Sequence, residues 1–426
     1  MSSDDGYIRD DWPKIPDGSN YDGKRLLTLV RSGNSPFKKV WDVNLLIQEV
    51  EDNINSQVID IPFVSKGSNN YGFHFKMSDQ RDILVRLARG DVNMPAYDGS
   101  PMDFLIQEIK FEAAVYTLLG SQPDIPTSRP LYYRAPVQHN GARVDMPRDI
   151  RGRCLMVFER AEGENNIWGE LGPDGKACLL AQAARIRASL FNFSLPADFA
   201  TAWLRLRIFE FMPEELPLPI APTREFWIAI FTSKIKATIG EEGDMIGWED
   251  DHNIVGPVAL KAKQSLLRFV PHMMPTGNDE GSLYRLVLDH GDFGIHNMSI
   301  MVDITSQPCV TSLYDWETGC IIPAILSDPE MAVRVDLVTD ENGAPSITRV
   351  PKDATPELRD EYMVCASQYI KVLYEHAPYF ERAIQAGKDA RHLWFALKRW
   401  RGNDPEEFFG KLGAWAESRM KEIGVE

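Results

Sequence analysis

The sequence predicts a mixed α/β fold in which a small β-rich N-terminal lobe precedes a larger, mainly helical C-terminal lobe. The segment YGFHFKM alternates, with Tyr71, Phe73, Phe75 and Met77 on one face, which predicts a half-buried strand. After residue 165, apolar side chains recur at helical spacing, as in KACLLAQAARIRASLFNF. A length of 426 residues is too great for one small core and favours two lobes or domains.

Further elements of the N-terminal lobe follow in order. A polar turn after YGFHFKM leads to DILVRLA, in which Ile83, Val85 and Leu87 share a face, so the two segments predict a β-hairpin. The segment PMDFLIQEIKFEAAVYTLLG predicts a helix, with one stripe that comprises Leu105, Ile109, Glu112, Tyr116 and Leu119. The segment CLMVFE, residues 154–159, predicts another strand.

The C-terminal lobe contains one strand-like island. The runs LYRLVLD, MSIMV and VTSLY lie between residues 283 and 315, and the last seventy residues return to a helical pattern, with Trp394, Trp400 and Trp415 expected in its core. We also expect a connector at LPLPIAP and a solvated loop at the acidic run EEGDMIGWEDDH, with binding of a cationic substrate as the alternative for that run. The sequence thus divides into an N-terminal arm or cap (1–40), an N-terminal lobe (41–159) and a C-terminal helical lobe (160–426).

Composition argues against several classes of partner. No run approaches the roughly 18 apolar residues of a membrane span, and a net charge of −16 disfavours a nucleic-acid partner. The five cysteines are odd in number and form no CxxC pair, which indicates reduced thiols in the cytoplasm and neither a disulfide framework nor a zinc site. The N-terminal segment MSSDDGYIRDDWPK lacks the features of a secretory signal, and no feature points to an obligate protein partner.

Two segments contain the candidate catalytic residues: HGDFGIHN, residues 290–297, and YDWETG, residues 314–319. Asp292 and Asn297 lie in a loop between apolar strand-like runs, and Asp315 closes the following strand. Two carboxylates and an amide suit Mg²⁺, which takes few protein ligands and leaves room for phosphate oxygens. The spacing matches the phosphoryl-transfer pattern, in which the catalytic Asp precedes an Mg²⁺-binding Asn by five positions and a second Asp follows the next hairpin.

HGDxxxxN followed by Asp-Trp-Glu at the end of a strand resembles the aminoglycoside phosphotransferase (APH)-like family of small-molecule kinases, most closely its fungal branch. The similarity covers roughly residues 58–330 and includes the family's phosphate loop (GSNNYGFHF), cation-bearing strand (ILVRLA), Glu-bearing helix and Ile-Pro element (FEAAVYTLLGSQPDIPTSRP) and hinge (LMVFERAEG). The resemblance implies a bilobal, protein-kinase-like fold. It also implies transfer of the γ-phosphate of ATP, with Mg²⁺, to a hydroxyl of a small molecule such as a metabolite, a natural-product intermediate or an aminoglycoside-like compound.

The resemblance also implies a role for each matching residue. Asp292 is expected to act as the catalytic base or as the group that positions the hydroxyl, and Asn297 and Asp315 are expected to hold Mg²⁺. Arg86 would contact the α- and β-phosphates and pair with Glu112. The remaining nucleotide-binding positions are Gly67, Ser68 and Asn69 in the phosphate loop and the backbone of Phe158, Glu159 and Arg160, which would hydrogen-bond the adenine.

The residues themselves support the pairing of Arg86 with Glu112. Glu112 interrupts an apolar helix stripe, and a buried carboxylate without a partner is costly. Arg86 points opposite to the apolar side chains of its strand and is the natural partner, while Glu108, one turn earlier, is the alternative acid. Arg86 is itself a departure from the lysine of protein kinases, and an arginine is a wider, forked donor.

Other interpretations stay open. Asp292 and Asn297 would also suit turn capping, and Arg86 with Glu112 would also suit a purely structural ion pair. His290 is expected to pack the loop, and His296 has no assigned role. The rival functions are a protein kinase, which the absence of HRD and Ala-Pro-Glu motifs disfavours, and a catalytically repurposed member that binds a nucleotide or a biosynthetic intermediate.

Overall fold

The computed structural model describes residues 12–15, 18–94, 97, 99–139, 149–207, 219–240, 246, 251–400 and 402–425. The chain forms two compact units, the first from Met1–Gly163 with Thr311–Glu317 and the second from Glu164–Val310 with Thr318–Glu426. Residues 216–218 of the predicted connector lie outside the described residues. The same holds for the predicted acidic loop, except for residues 246, 251 and 252.

The first unit contains a five-stranded antiparallel sheet in the order β1-β2-β3-β5-β4. Its strands are β1 (Val58–Lys66), β2 (Asn70–Met77), β3 (Asp82–Ala88), β4 (Pro130–Arg134) and β5 (Leu155–Glu159). Its helices are α1 (Leu26–Arg31), α2 (Val43–Ile54) and α3 (Met102–Leu119).

The strands β2 and β3 form the predicted hairpin. They pair residue by residue, and Phe73 lies opposite Val85 and Phe75 opposite Ile83, with all four side chains buried. Such cross-strand apolar pairs stabilise a sheet face. The alternation in the sequence therefore predicted both strands and the face that is buried.

Residues of the predicted arm or cap contribute to the core of the first unit. Tyr21, Leu26 and Phe37 are buried and, with Trp41 just beyond the predicted arm, belong to the same apolar cluster as the side chains of β1 to β3. Phe37 packs edge-to-face against Tyr71 of β2, with ring centroids 5.5 Å apart, and such pairs add to the stabilisation by burial.

Residues 311–317 join the first unit through several contacts, two of which involve the segment around Pro126. The N–H of Leu313 donates to the carbonyl oxygen of Pro126 at 2.7 Å, and the hydroxyls of Ser128 and Ser312 lie 2.8 Å apart. Asp315 therefore belongs to the same unit as Arg86 and Glu112.

The second unit is mainly helical. Its helices are α4 (Pro173–Asn192), α5 (Ala197–Trp203), α6 (Arg224–Thr238), α7 (His252–Met273), α8 (Glu280–Leu283), α9 (Pro356–His376), α10 (Pro378–Ala386), α11 (Lys388–Arg399) and α12 (Pro405–Glu422). Its strands are β6 (Leu286–Asp289), β7 (Met298–Val302), β8 (Pro308–Leu313, ending in the first unit), β9 (Cys320–Pro323), β10 (Met331–Ala332), β11 (Asp336–Thr339) and β12 (Pro345–Thr348). They form the sheets β6-β9, β7-β8 and β10-β11-β12.

The predicted fold class, α/β with a smaller β-rich part and a larger, mainly helical part, is confirmed. In detail, LYRLVLD becomes a strand only from Leu286 onward, because Leu283 ends the short helix α8. Trp394 is buried as predicted, whereas Trp400 and Trp415 remain partly exposed. Among the described residues, no helix has the length and apolar character needed to cross a membrane.

Candidate active site

The first unit contains most of the predicted site residues. Arg86 is the centre of an ion-pair group: its Nη1 lies 2.6 Å from Oε1 of Glu112, and its Nη2 lies 3.0 Å from Oδ1 of Asp315. Glu112 is only 5% exposed, so the predicted pairing is confirmed and Glu108 is not the partner in this contact. Burial disfavours the charge on Arg86, but Glu112 and Asp315 outweigh it and raise the pKa of Arg86, which keeps the guanidinium charged.

Helix α3 also positions the backbone of Asp315. The N–H of Asp315 donates to the hydroxyl oxygen of Tyr116 at 3.0 Å, and Tyr116 lies one turn after Glu112 on the same helix face. Asp315 has a φ of +68°, a region that costs energy for a residue with a side chain. One helix thus fixes both the cation of β3 and the strained aspartate.

Glu317 is a third acid in this group, and the sequence interpretation did not include it. Its Oε2 lies 3.8 Å from Nη2 of Arg86, and its Oε1 accepts a hydrogen bond of 2.7 Å from Nδ2 of Asn69. Burial and the neighbouring Asp315 raise the pKa of Glu317 to about 7, although Arg86 and Asn69 oppose the shift. The motif Asp-Trp-Glu includes this residue, but the sequence separation of Glu317 and Asn69 did not indicate that the two side chains are in contact.

The predicted phosphate loop is a tight turn between β1 and β2. The N–H of Gly67 donates to the carbonyl oxygen of Asn70 at 2.8 Å. Nη1 of Arg89 donates to the carbonyl oxygens of Gly67 and Ser68 at 3.2 and 2.8 Å. Arg89, directly after β3, therefore holds the loop in place. In the sequence, only its position next to an apolar strand pointed to such a role.

The predicted hinge lies at the end of β5. Phe158 is buried and packs edge-to-face against Tyr116 at 4.8 Å. The N–H of Glu159 donates to the backbone carbonyl oxygen of Arg129 at 2.9 Å, and the N–H of Arg160 donates to the backbone carbonyl oxygen of Asp82 at 3.0 Å. These two N–H groups are already used inside the unit, so a nucleobase at this edge would reach them only if those bonds broke.

Asp292 and Asn297 lie in the second unit, on the loop between β6 and β7. Nδ2 of Asn297 donates to the carbonyl oxygen of Asp292 at 2.9 Å and to its Oδ2 at 3.2 Å. Oδ2 of Asp292 also lies 3.0 Å from Nε2 of His296. His296, to which the sequence assigned no role, is therefore a direct partner of Asp292, while His290 is buried against Phe293 as predicted.

The surroundings of Asp292 keep its carboxyl group ionised. The hydrogen bond from His296 is the largest influence; together with Asn297 it outweighs burial and holds the pKa of Asp292 below its usual range. The Asp292 side chain is 48% exposed. A weakly basic, accessible carboxylate is better suited to align a hydroxyl than to remove its proton early, since general-base efficiency follows basicity.

The donor atoms fit a hard cation. Asp315 offers carboxylate oxygens, and in Asn297 the amide nitrogen bonds Asp292, which leaves the amide oxygen as the atom that can bind a metal. Oxygen ligands of this kind suit Mg²⁺. Within the described part of the chain, no group of three or more His, Cys, Asp or Glu side chains is arranged to hold a metal ion.

No family model matches the sequence, and no curated protein matches it. Solved structures with a similar arrangement include the ADP-bound aminoglycoside phosphotransferase APH(2'')-Ib, at 8% identity and a TM-score of 0.43 over 87% of this chain and 97% of that chain. The streptomycin–ATP complex of APH(2'')-IIa matches at 9% identity and 0.41 over 88% and 95%. Amicoumacin kinase with AMP-PNP and Ca²⁺ matches at 11% and 0.37 over 89% and 94%.

Proposed function

We propose that this chain is an ATP-dependent phosphotransferase that transfers the γ-phosphate to a hydroxyl group of a small molecule, and that it belongs to the fungal branch of the APH-like kinases. The observation that carries the proposal is the group of Arg86, Glu112 and Asp315. Arg86 on the third strand is paired with a glutamate of the following helix and with an aspartate that lies two residues after strand β8. Phosphoryl transfer in kinases uses a strand cation, a helix glutamate and a metal-binding aspartate in these positions.

Each remaining residue has a role in this proposal. Arg86 contacts the α- and β-phosphates of ATP, and the turn of Gly67, Ser68 and Asn69 lies against the phosphate chain. The end of β5, from Phe158 through Glu159 to Arg160, lies beside the nucleobase. Since the N–H groups of Glu159 and Arg160 donate within the unit, apolar contact with the base is the larger part of that role.

Asp315 and Asn297 each supply one oxygen ligand to Mg²⁺ in this proposal. When bound, the ion neutralises charge on the β- and γ-phosphates. Asp292 accepts a hydrogen bond from the acceptor hydroxyl and aligns it for attack, which its lowered pKa favours over early proton removal. Positioning and electrostatics supply most of the acceleration in such a reaction.

The acceptor in this proposal is a small molecule, not a protein. Protein kinases have an HRD loop and an Ala-Pro-Glu element after the metal-binding Asp. Here Gly291 replaces the Arg of HRD, and no Ala-Pro-Glu sequence follows Asp315.

The test is calorimetric titration of Mg²⁺-ATP into wild type, Asp315→Asn and the matched control Asp52→Asn, an exposed aspartate of α2. We expect micromolar binding by wild type and the control, and a loss of roughly tenfold or more in affinity for Asp315→Asn because a charged metal ligand is gone. Absence of ATP binding by wild type would contradict the proposal. Binding of ATP without any turnover in a screen of hydroxyl-bearing metabolites would favour the repurposed, non-catalytic alternative.

A further inference from the structure

Arg187 of α4 is a buried charge on an apolar helix face. It lies four residues after Ala183 and three before Leu190, both buried, and is itself 3% exposed. A guanidinium in such a place is costly unless its hydrogen-bond donors are satisfied. The partners of its guanidinium therefore explain why an arginine is tolerated at this position.

Three groups of the second unit surround the Arg187 guanidinium. Nη2 lies 2.7 Å from Oδ2 of Asp289 and donates to the carbonyl oxygen of Asp328. The guanidinium carbon lies 5.2 Å from the ring centroid of Phe293, in cation–π contact. Asp289 and Phe293 flank the segment that contains Asp292.

Asp289 connects Arg187 to Gly291, the residue before Asp292. Oδ1 of Asp289, the oxygen that does not face Arg187, accepts a hydrogen bond of 2.8 Å from the N–H of Gly291. Gly291 has a φ of +78°, and a Cβ at this position would lie 2.2 Å from the carbonyl oxygen of Thr318. The backbone immediately before Asp292 thus adopts a conformation that glycine alone tolerates and that Asp289 holds by hydrogen bonding.

The contact with Phe293 fixes the residue after Asp292. Phe293 is buried under the guanidinium, and its carbonyl oxygen accepts a hydrogen bond of 2.9 Å from the N–H of Ala332 in β10. The backbone of Gly291 is thus held by Asp289 and that of Phe293 by Ala332, and Arg187 contacts Asp289 and the ring of Phe293.

We propose that Arg187 is a positioning residue for Asp292: through Asp289 and Phe293 it sets the backbone on both sides of that aspartate. The inference rests on the proposed function, because it treats Asp292 as the group that aligns the acceptor. A displacement of about 1 Å of such a group is enough to lower turnover roughly a hundredfold.

The test uses Arg187→Lys, which keeps the charge but cannot bond Asp289 and Asp328 while lying flat on Phe293. Two quantities are measured: hydrolysis of Mg²⁺-ATP to ADP and phosphate, in which water takes the place of the acceptor hydroxyl, and hydrogen exchange of the peptide 288–296. We expect kcat to fall tenfold or more, KM for ATP to stay within about twofold, and exchange in 288–296 to increase. Asp289→Asn, which keeps an acceptor for Gly291 but loses the charge, should give a smaller change of the same kind.

The matched control is Tyr369→Phe. The Tyr369 hydroxyl is buried near the same cluster and has no hydrogen-bond partner among the described residues, so its removal should leave kcat and exchange unchanged. Unchanged exchange in 288–296 of Arg187→Lys would overturn the proposal, and so would a rise in KM with kcat unaltered. If wild type turns over no ATP either with water or in the screen of hydroxyl-bearing metabolites, the proposed function fails, and the exchange result still decides whether Arg187 positions the loop.

Discussion

At the level of single residues, a buried charge in an apolar pattern was the most informative signal in the sequence. Glu112 interrupts a helix stripe, which predicted a cationic partner, and Arg86 fills that role at 2.6 Å. Arg187 is likewise buried among apolar side chains of α4, although the sequence interpretation did not single it out. Its partner could not be predicted, because Asp289 lies about a hundred residues further along the chain and no local pattern connects the two.

Contacts made by exposed loops were not predictable at this level. The hydrogen bonds from Asn69 to Glu317 and from Arg89 to the phosphate loop join residues whose spacing follows no period. Hydrophobic periodicity reports which face of an element is buried, and it says nothing about which polar side chains meet at the ends of strands.

His74 of β2 offers a pH-dependent prediction. It lies edge-to-face with Phe63 at 5.6 Å, and burial, with Arg160 nearby, lowers its pKa to about 4. The unfolded chain binds a proton near pH 6.5, so between the two values the unfolded state holds more protons and stability falls as pH falls. From pH 7 to 4.5, wild type should lose about 2 kcal/mol more in free energy of unfolding than His74→Gln.

Urea denaturation of both proteins at the two pH values measures this difference. Protonation of carboxylates affects both proteins alike, so the comparison isolates His74. An equal loss of stability in the two proteins would show that the imidazole does not resist protonation in the folded state.

At the level of elements, long periodic segments were predicted almost residue by residue, and short ones were not. The segment DILVRLA is β3 without any shift, and PMDFLIQEIKFEAAVYTLLG contains α3. Strands β10, β11 and β12 have two to four residues each, which is too short for a period of two to be recognised. Their pairing comes from tertiary contacts, including the bridge of Ala332 to Gly294.

Helix α3 connects the ion pair to the metal-binding aspartate, because Glu112 bonds Arg86 and Tyr116 accepts from the N–H of Asp315. Tyr116→Phe would remove the acceptor and leave that N–H without its partner. We expect a loss of about 1–2 kcal/mol in stability and a several-fold weaker affinity for Mg²⁺-ATP, since Asp315 would no longer be held at its strained φ.

Calorimetry and urea denaturation measure the two effects of Tyr116→Phe. The control is Tyr132→Phe, whose hydroxyl donates to Glu49 at 3.1 Å elsewhere in the same unit. It should cost stability without changing nucleotide affinity. If the two variants bound Mg²⁺-ATP with equal affinity, the hydrogen bond from Asp315 to Tyr116 would not contribute to nucleotide binding.

At the level of the whole molecule, the sequence predicted a β-rich part followed by a helical part, but not the return of the chain at residues 311–317. That segment joins the first unit through Leu313 and Ser312, and both residues read as ordinary strand positions in the sequence. The first unit is therefore discontinuous, and it cannot be completed until most of the second unit has been synthesised.

Because the two compact units have their own cores, a cavity made by mutation in one unit should lower the stability of that unit and not of the other. Phe37 in the first unit and Leu373 of α9 in the second are both fully buried, and replacement by alanine should cost about 3–5 kcal/mol for Phe37 and about 2–5 kcal/mol for Leu373. In Phe37→Ala, peptides of β1 to β3 should lose protection from hydrogen exchange at lower urea, while peptides of α9 keep the wild-type midpoint. Leu373→Ala should give the reverse. If each variant shifted both sets of peptides equally, the chain would unfold as one cooperative unit. If Phe37→Ala shifted neither set, residues 21–41 would be a loose attachment and not part of the core.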